Sequence, residues 1–350
     1  MKIGILTSSR ADFGIYYPLV KNLWNDVFFE VEIIAFGSHL NKDYGYTIEE
    51  INQLGFKVKH KIETLTKNDD AIDISNNIGD AILKFSHFWD KNKFDLVFAL
   101  GDRYEMFAAV LASTPFNINV AHIAGGETTL GAIDNVYRHA ISLMSNFVFT
   151  STVVYEKRAI ELIGSKSGIY NVGALNIENL VKEDLYTLSE FEDRFNINLK
   201  TPTILITFHP ETVGYMKNTL YIKELLSALE VLEKKYQLVI TMPNSDTMGL
   251  MIRKEIIKFG KKFNKVFLVE SFGMKGYLSC MKYCSFMLGN TSSGFVEASF
   301  FSKWVINIGN RQEGRLITPN IKSAKIEKAN ILNAVLEIEN LSIIKVDDFY

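Results

Sequence analysis

The stretch DLVFALGDRYEMFAAVLAS, residues 95–113, predicts how this chain folds. An uninterrupted apolar run of strand length ends at Gly101 and two charged residues, and a helical pattern of apolar side chains follows. A strand reads as a continuous apolar run when helices cover both faces of its sheet, because neither face then meets water. The stretch therefore predicts one strand–turn–helix unit of a parallel α/β sheet.

The same unit recurs on both sides of this stretch. Short β-branched runs predict strands at 2–9, 31–37, 119–126, 146–151 and 168–174, and helical spacing predicts helices at 14–26, 70–89, 134–145 and 154–163. The alternation restarts at 201–210, with strands at 237–246, 265–271, 285–290 and 304–309 and helices at 220–235, 248–263, 274–284, 293–301 and 325–338. Two successive series predict an α/β protein with two Rossmann-like, doubly wound parallel sheets, joined by a hinge at Lys182–Lys200. A ligand is expected beyond the carboxyl ends of the strands, in a cleft across which the sheets face each other.

Composition narrows the class of protein. The chain has 350 residues, of which 47% are hydrophobic and 22% charged, as expected for folded domains. The net charge is −2 and there is no basic run, which argues against nucleic acid or an anionic membrane as partner. No apolar stretch is long enough to span a bilayer, and the N-terminus resembles a strand more than a signal peptide. Cys280 and Cys284 are interpreted as buried thiols, and a cytoplasmic location is expected.

Polar clusters follow almost every predicted strand at its carboxyl end. The residues concerned are Arg10 and Asp12, Asp102 and Arg103, Glu127, His209, Asn244 and Asp246, Thr291 to Gly294, and Arg311 and Arg315. Because parallel strands end at one edge of a sheet, this distribution predicts a binding site.

The turn formed by Thr291, Ser292, Ser293 and Gly294 is interpreted as an anion site at the start of a helix, where free amides and the helix dipole favour phosphate. The same residues also suit a plain N-cap. Arg10 and Arg311 favour the phosphate interpretation because guanidinium pairs bidentately with phosphate. Glu297, one turn inside that helix, is a candidate for ribose hydroxyls, and His209 is either a pyrophosphate donor or a structural histidine. Neither GxGxxG nor GxxxxGK[ST] is present.

Three carboxylates form the acidic set: Asp102, Glu127 and Asp134. Converging carboxylates can supply both an acid and a base near neutral pH. They could instead hold Mg²⁺, or they could be separate loop caps, with Asp134 as the N-cap of its helix. Arg138 is one turn further along and is expected on the same side as Asp134.

Seven segments together resemble one family, the hydrolysing UDP-N-acetylglucosamine 2-epimerases of bacterial sialic acid synthesis. They read SSRADFG, LGDRYEM, HIAGGE, DNVYRHAIS, FHPET, GNTSSGFVEA and NIGNRQEGR, in order between Met1 and about Arg315. The resemblance implies a GT-B-like pair of domains, with an N-terminal domain at 1–180 carrying the acids and a UDP-binding domain at 181–325. It also implies that the C-terminal helix, 326–350, packs back on the N-terminal domain.

The resemblance also implies a reaction. UDP is eliminated across C1–C2 of the sugar to give 2-acetamidoglucal, water adds at C1, and C2 is reprotonated on the opposite face, which releases N-acetylmannosamine. Asp102, Glu127 and Asp134 resemble the family's catalytic acids, and His209 and Arg10 its diphosphate-side groups. Asn244, Thr291, Ser292, Glu297 and Arg311 resemble its nucleotide-binding residues, with Asp12, Arg138, Ser293 and Gly294 as further candidate substrate contacts. Gly125 and Gly126 are expected to let the backbone approach the sugar.

The family implies no cofactor and no metal, and a homodimer or homotetramer is expected. Non-hydrolysing relatives carry a lysine where this chain has Ile15, and Glu-Ala-Gly where it reads AGGE, so the hydrolysing branch is favoured. Within that branch the substrate is either UDP-N-acetylglucosamine or UDP-N,N'-diacetylbacillosamine, the sugar of legionaminic acid synthesis. A GT-B glycosyltransferase and a nucleotide-sugar binding protein without turnover remain the rival functions.

Overall fold

The computed structural model describes residues 1–65, 68–182 and 184–342. These residues form two compact units. The first comprises Met1–Thr128 and Ile133–Asn179, and the second comprises the short segment Thr129–Ala132 together with the described chain from Leu180 on. The sequence placed the boundary at 180/181 and did not indicate that Thr129–Ala132 belongs to the second unit.

The first unit is a seven-stranded parallel sheet with the order β3-β2-β1-β4-β5-β6-β7. Its strands are β1 (Lys2–Thr7), β2 (Glu30–Phe36), β3 (Val58–Ile62), β4 (Leu96–Leu100), β5 (Val120–Ile123), β6 (Phe147–Thr150) and β7 (Ile169–Asn171). Its helices are α1 (Arg10–Asn25), α2 (Ile48–Gln53), α3 (Ala71–Lys91), α4 (Tyr104–Ser113), α5 (Asp134–Leu143), α6 (Val153–Ile163) and α7 (Leu175–Lys182), the last of which contains the boundary between the units.

Apolar cores lie on both faces of this sheet, as the continuous apolar run of β4 predicts. Phe98 and Leu100 belong to one core, whereas Val97 and Ala99 belong to the other. The alternation follows from the two-residue side-chain period of a strand.

A buried ion cluster lies near the start of β2. Glu32 is 2% exposed and accepts hydrogen bonds from Lys59 and His60, and Lys2 lies 3.0 Å away. Burial raises the pKa of Glu32, but these bonds outweigh it and lower the pKa to about 2. Glu32 is therefore ionised at neutral pH and at moderately acidic pH.

The second unit is a six-stranded parallel sheet with the order β10-β9-β8-β11-β12-β13. Its strands are β8 (Thr203–Thr207), β9 (Gln237–Thr241), β10 (Val266–Val269), β11 (Phe286–Gly289), β12 (Val305–Ile308) and β13 (Ile321–Ala324). Its helices are α8 (Leu188–Phe195), α9 (Asn218–Leu232), α10 (Gly249–Gly260), α11 (Gly273–Tyr283), α12 (Glu297–Phe300) and α13 (Lys328–Glu339).

The C-terminal helix packs within the second unit. Helix α13 buries Ile331, Ala334, Val335 and Ile338 in the core of the second unit, where it contacts α9, β12 and β13. The apolar face of this helix is thus covered within its own unit, and the expected packing of 326–350 on the N-terminal domain stays a prediction. Residues 343–350 of that prediction lie outside the described residues.

Several short elements were not foreseen. Strand β3 reads VKHKI and strand β13 reads IKSA. Polar residues interrupt both, so neither shows a continuous apolar run. Helix α8 lies inside the predicted hinge and begins at a capping box in which Thr187 and Glu190 bond each other's backbone.

Candidate active site

The order of the first sheet reverses between β1 and β4, which are neighbours although two strands separate them along the chain. Connections leave such a switch point in opposite directions, so a crevice opens at the carboxyl ends of the two strands. Arg10 begins α1 directly after β1, and Asp102 follows β4. The structure therefore brings these two predicted residues to the switch point.

A buried arginine joins two of the three predicted acids. Arg138, on α5, donates through Nη2 to Asp102 Oδ2 and through Nη1 to the Ala124 carbonyl at 2.7 Å. Its Nη1 also lies 3.6 Å from Glu127 Oε2. Arg138 is 3% exposed, so its ion pairs are poorly screened by water. Asp102 and Glu127 thus share one cation at the ends of adjacent strands.

Asp134, the third acid, is the buried first residue of α5, and residue 133 occupies the N-cap position. The interpretation of Asp134 as an N-cap is therefore wrong. It lies four residues before Arg138, which places both on one face of the helix, as predicted.

His122, which the sequence reading did not single out, ties the ends of β4 and β5 together. Its Nε2 lies 2.8 Å from the Gly101 carbonyl and its Nδ1 2.9 Å from Ser142 Oγ. Burial lowers the pKa of His122 to about 4. A neutral ring with its proton on Nε2 satisfies both partners, because a carbonyl can only accept. The bond fixes the backbone next to Asp102.

The two glycines before Glu127 serve packing within the first unit. A Cβ on Gly125 would lie 2.3 Å from Val148 Cγ1, and a Cβ on Gly126 (φ +74°) would lie 2.1 Å from the Tyr155 carbonyl. The close approach of β6 and α6 therefore accounts for both glycines, and an approach of this backbone to a sugar stays a prediction.

Arg10 and Asp12 lie in the first turn of α1 and not on the preceding loop. Asp12 accepts hydrogen bonds from the backbone and hydroxyl groups of Ser8 and Ser9, and burial raises its pKa. His39 is held between Thr7 and Thr47, and burial, assisted by the charge of Arg10, lowers the pKa of His39 to about 3. The Asp12 carboxylate is thus engaged with its own helix start, and a substrate contact by Asp12 stays a prediction.

The second sheet reverses its order between β8 and β11. His209 follows β8 and Asn290 follows β11, and they bond each other reciprocally. The His209 amide donates to Asn290 Oδ1 at 2.7 Å, and Asn290 Nδ2 donates to the His209 carbonyl at 2.8 Å. Asn290 is fully buried within the quoted GNTSSG segment, yet only the fold indicates its role.

Arg311 reaches this switch point from the loop after β12. Its Nη1 lies 3.4 Å from the Asn290 carbonyl, which Gln312 Nε2 also contacts at 2.8 Å. Glu211 supports the same loop, because its Oε1 accepts from the Asn310 amide at 2.6 Å. Asn244 is half-buried on the loop after β9. His209 and Arg311 are therefore brought together, and Glu211 and Gln312 are supporting residues that the sequence did not reveal.

The Thr291–Gly294 turn differs from its prediction. The expected helix over 293–301 consists of a 3₁₀ turn, Ser292–Gly294, and the four-residue α12. Thr291 is the N-cap of the turn, and Glu297 is the first residue of α12, not one turn inside it. A helix this short has little dipole, so anion binding here would depend on hydroxyls and amides. The hydroxyl of Tyr277 holds Ser293 Oγ at 2.6 Å, and burial raises the pKa of Tyr277 to about 12.

Two features bear on other kinds of site. In residues 1–65, 68–182 and 184–342, no three His, Cys, Asp or Glu side chains are grouped so that they could hold a metal ion. Among the described helices, none combines the length and the apolar character that crossing a bilayer requires.

Comparison with known proteins decides the family. The family model described as UDP-N-acetylglucosamine 2-epimerase matches residues 21–347. The chain belongs to this family. Membership of this family confirms the prediction that the protein is an enzyme acting on a nucleotide sugar.

Three similar proteins illustrate the range of this family. The chain is 36% identical over 93% of its length to a hydrolysing GDP/UDP-N,N'-diacetylbacillosamine 2-epimerase of Campylobacter jejuni, 84% of which is covered. It is 30% identical over its whole length to a hydrolysing UDP-N,N'-diacetylbacillosamine 2-epimerase of Legionella pneumophila, 92% of which is covered. The fold resembles the UDP-GlcNAc 2-epimerase of Neisseria meningitidis bound to UDP-GlcNAc, with a TM-score of 0.80, 19% identity and coverage of 97% and 92% of the two chains. The predicted GT-B-like class is thereby confirmed as the fold of this family member.

Proposed function

We propose that this protein is a hydrolysing 2-epimerase of a UDP-linked 2-acetamido sugar, which converts UDP-N-acetylglucosamine and water to N-acetylmannosamine and UDP. One observation carries the proposal: Arg138 holds Asp102 and Glu127 together at neighbouring strand ends of the first sheet. The reaction removes a proton from one face of C2 and adds a proton to the other face, which needs more than one positioned acid–base group. Asp102 and Glu127, with Asp134 on the same helix as Arg138, supply these groups.

The proposed reaction has two stages. A carboxylate removes the C2 proton while the C1–O bond to UDP breaks, which gives UDP and 2-acetamidoglucal. Water then adds at C1, and a proton reaches C2 on the opposite face, giving the free sugar. The bond to the leaving group breaks more easily where cationic and amide groups bind the diphosphate as its charge develops.

The second unit offers groups suited to the diphosphate. His209 and Arg311 lie around Asn290 at its switch point, next to the hydroxyls of Thr291 and Ser293. We assign Arg10, Ser292, Gly294, Asn244 and Glu297 to the same ligand on the resemblance alone. A cytoplasmic homodimer or homotetramer acting without cofactor or metal completes the proposal.

Incubation with UDP-N-acetylglucosamine alone tests the reaction. We expect release of UDP and N-acetylmannosamine with no acceptor present, and one deuterium at C2 when the reaction is run in D₂O. A glycosyltransferase would release no UDP without an acceptor, and product unlabelled at C2 would refute proton exchange. Asp102→Asn should abolish turnover, whereas Asp80→Asn, a change to an exposed helix pair with Lys84, should leave it intact.

UDP-N,N'-diacetylbacillosamine is the second candidate substrate. The relatives at 36% and 30% identity are named for this sugar, which favours it. A side-by-side comparison of kcat/KM on the two UDP-sugars decides between them, with the physiological substrate expected to be preferred by more than tenfold.

A further inference from the structure

Asp246 has no part in the function proposed above, although it lies between two of the side chains that the proposal assigns to the diphosphate. Its Oδ2 is 3.7 Å from His209 Nδ1 and 3.7 Å from Arg311 Nη2. The three residues come from the loops after β9, β8 and β12, and all three side chains are largely buried. One carboxylate therefore connects three strand ends of the second sheet.

A carboxylate at this position opposes an anionic ligand. Coulomb interactions over a few ångströms are strong when water is excluded, and Asp246 is only 5% exposed. A site selected only for attraction to a diphosphate would lack this negative charge. Its presence needs another cause, and its contacts suggest one.

Arg311 has few other groups to hold it in place. Its bond to the Asn290 carbonyl is long, at 3.4 Å, and Gln312 already donates to that oxygen at 2.8 Å. The Nε of Arg311 is buried and makes no hydrogen bond within the described part of the chain. Among the residues that the structure describes, Asp246 is the carboxylate within ion-pair distance of its guanidinium. A long side chain that is ordered in advance loses less conformational entropy when it binds a ligand.

We propose that Asp246 is a positioning residue that orients Arg311 and His209 for the diphosphate of the nucleotide. The inference rests on the proposed function only in taking UDP as the ligand. It predicts the sign of the change in UDP affinity when the Asp246 carboxylate is removed. Removal of the carboxylate weakens UDP binding if Asp246 positions Arg311 and His209, whereas it strengthens binding if Asp246 only offsets positive charge at this site.

A double-mutant cycle measured by calorimetry with UDP tests this proposal. Asp246→Asn should raise the Kd for UDP about tenfold in the otherwise native chain. In the Arg311→Met background the same change should raise the Kd by only about threefold, because the guanidinium is gone and His209 alone is left for Asp246 to orient. Glu339→Gln removes an acidic residue that pairs with Lys235 and Tyr236 on the same unit, and it should leave the Kd unchanged.

The proposal is overturned if Asp246→Asn binds UDP as tightly as the native protein or more tightly, or if the loss is equal in both backgrounds. Thermal unfolding of every variant identifies a loss that comes from misfolding, and Asp246→Glu should recover part of the affinity. If the native chain binds UDP but hydrolyses neither UDP-sugar, the proposed function fails while the cycle still decides the role of Asp246. If the native chain binds no UDP, both fail.

Discussion

Replacement of Arg138 by methionine should destabilise the first unit by about 3 kcal/mol. The guanidinium donates to Asp102 and to the Ala124 carbonyl and lies 3.6 Å from Glu127. Removal of one member of a buried ion pair costs about 3–5 kcal/mol, because the remaining charge stays buried. The Asp102 side chain is 23% exposed and regains some water, so the lower end of that range applies. For a domain of this size the unfolding midpoint should fall by about 6–12 °C.

Differential scanning calorimetry of the full-length chain measures this effect at its first transition. Arg138→Lys retains the charge but not the planar fork, so it should lose about half as much. Lys157→Met, at an exposed position of α6, removes the same charge without these contacts and should leave the midpoint within about 1 °C of the native value. If Arg138→Met and Lys157→Met unfold at the same temperature, the buried carboxylates do not depend on Arg138 and the reasoning is refuted.

Three further predictions concern a buried acid and two glycines. Glu32 has a pKa of about 2 in the folded protein against an ordinary value of 4.5. Its contribution to stability, about 2 kcal/mol after allowance for its exposed partners, is therefore complete above pH 4.5 and is lost as the pH falls through 2. Acid unfolding of Glu32→Gln should show no loss from this group in that range. Gly126→Ala should lower the free energy of unfolding by about 3 kcal/mol, measured by calorimetry, because its Cβ would lie 2.1 Å from the Tyr155 carbonyl at φ +74°. Gly131→Ala should weaken UDP binding about tenfold, measured by calorimetry. Its Cβ would lie 2.1 Å from the Asn310 carbonyl, on the loop that carries Arg311, which is proposed to bind the diphosphate.

Matched variants control these predictions. Gly164 has φ +76° and open space around its missing Cβ, so Gly164→Ala measures the backbone conformation alone, about 1 kcal/mol, and the excess loss in Gly126→Ala measures the steric clash. Gly79 lies in α3, and a Cβ added to it would meet no atom within 4 Å. Gly79→Ala should therefore not lower stability and should leave the affinity for UDP unchanged. Equal losses in Gly126→Ala and Gly164→Ala, native UDP affinity in Gly131→Ala, or native acid sensitivity in Glu32→Gln would each contradict the corresponding prediction.

The alternation of strands and helices was readable from the sequence because its cause is local. Buried parallel strands require continuous apolar runs, as at β4 and β8, and the helices between them require one apolar face. Elements without such a run, such as β3 and β13, were missed for the same reason. The elements that α13 packs against were not readable in this way, since a single apolar face does not specify which neighbour covers it.

The sequence by itself also determined that polar side chains collect after the strands, and so which residues are candidates for chemistry. Only the tertiary structure decided which of them meet. The Arg138–Asp102 pair spans 36 residues, and the reciprocal bonds of His209 and Asn290 span 81. Such pairs depend on the order of strands within a sheet, with β5 beside β4 and β11 beside β8. Strand order is set by the packing of the crossover helices over the whole sheet, and no local pattern of side chains records it.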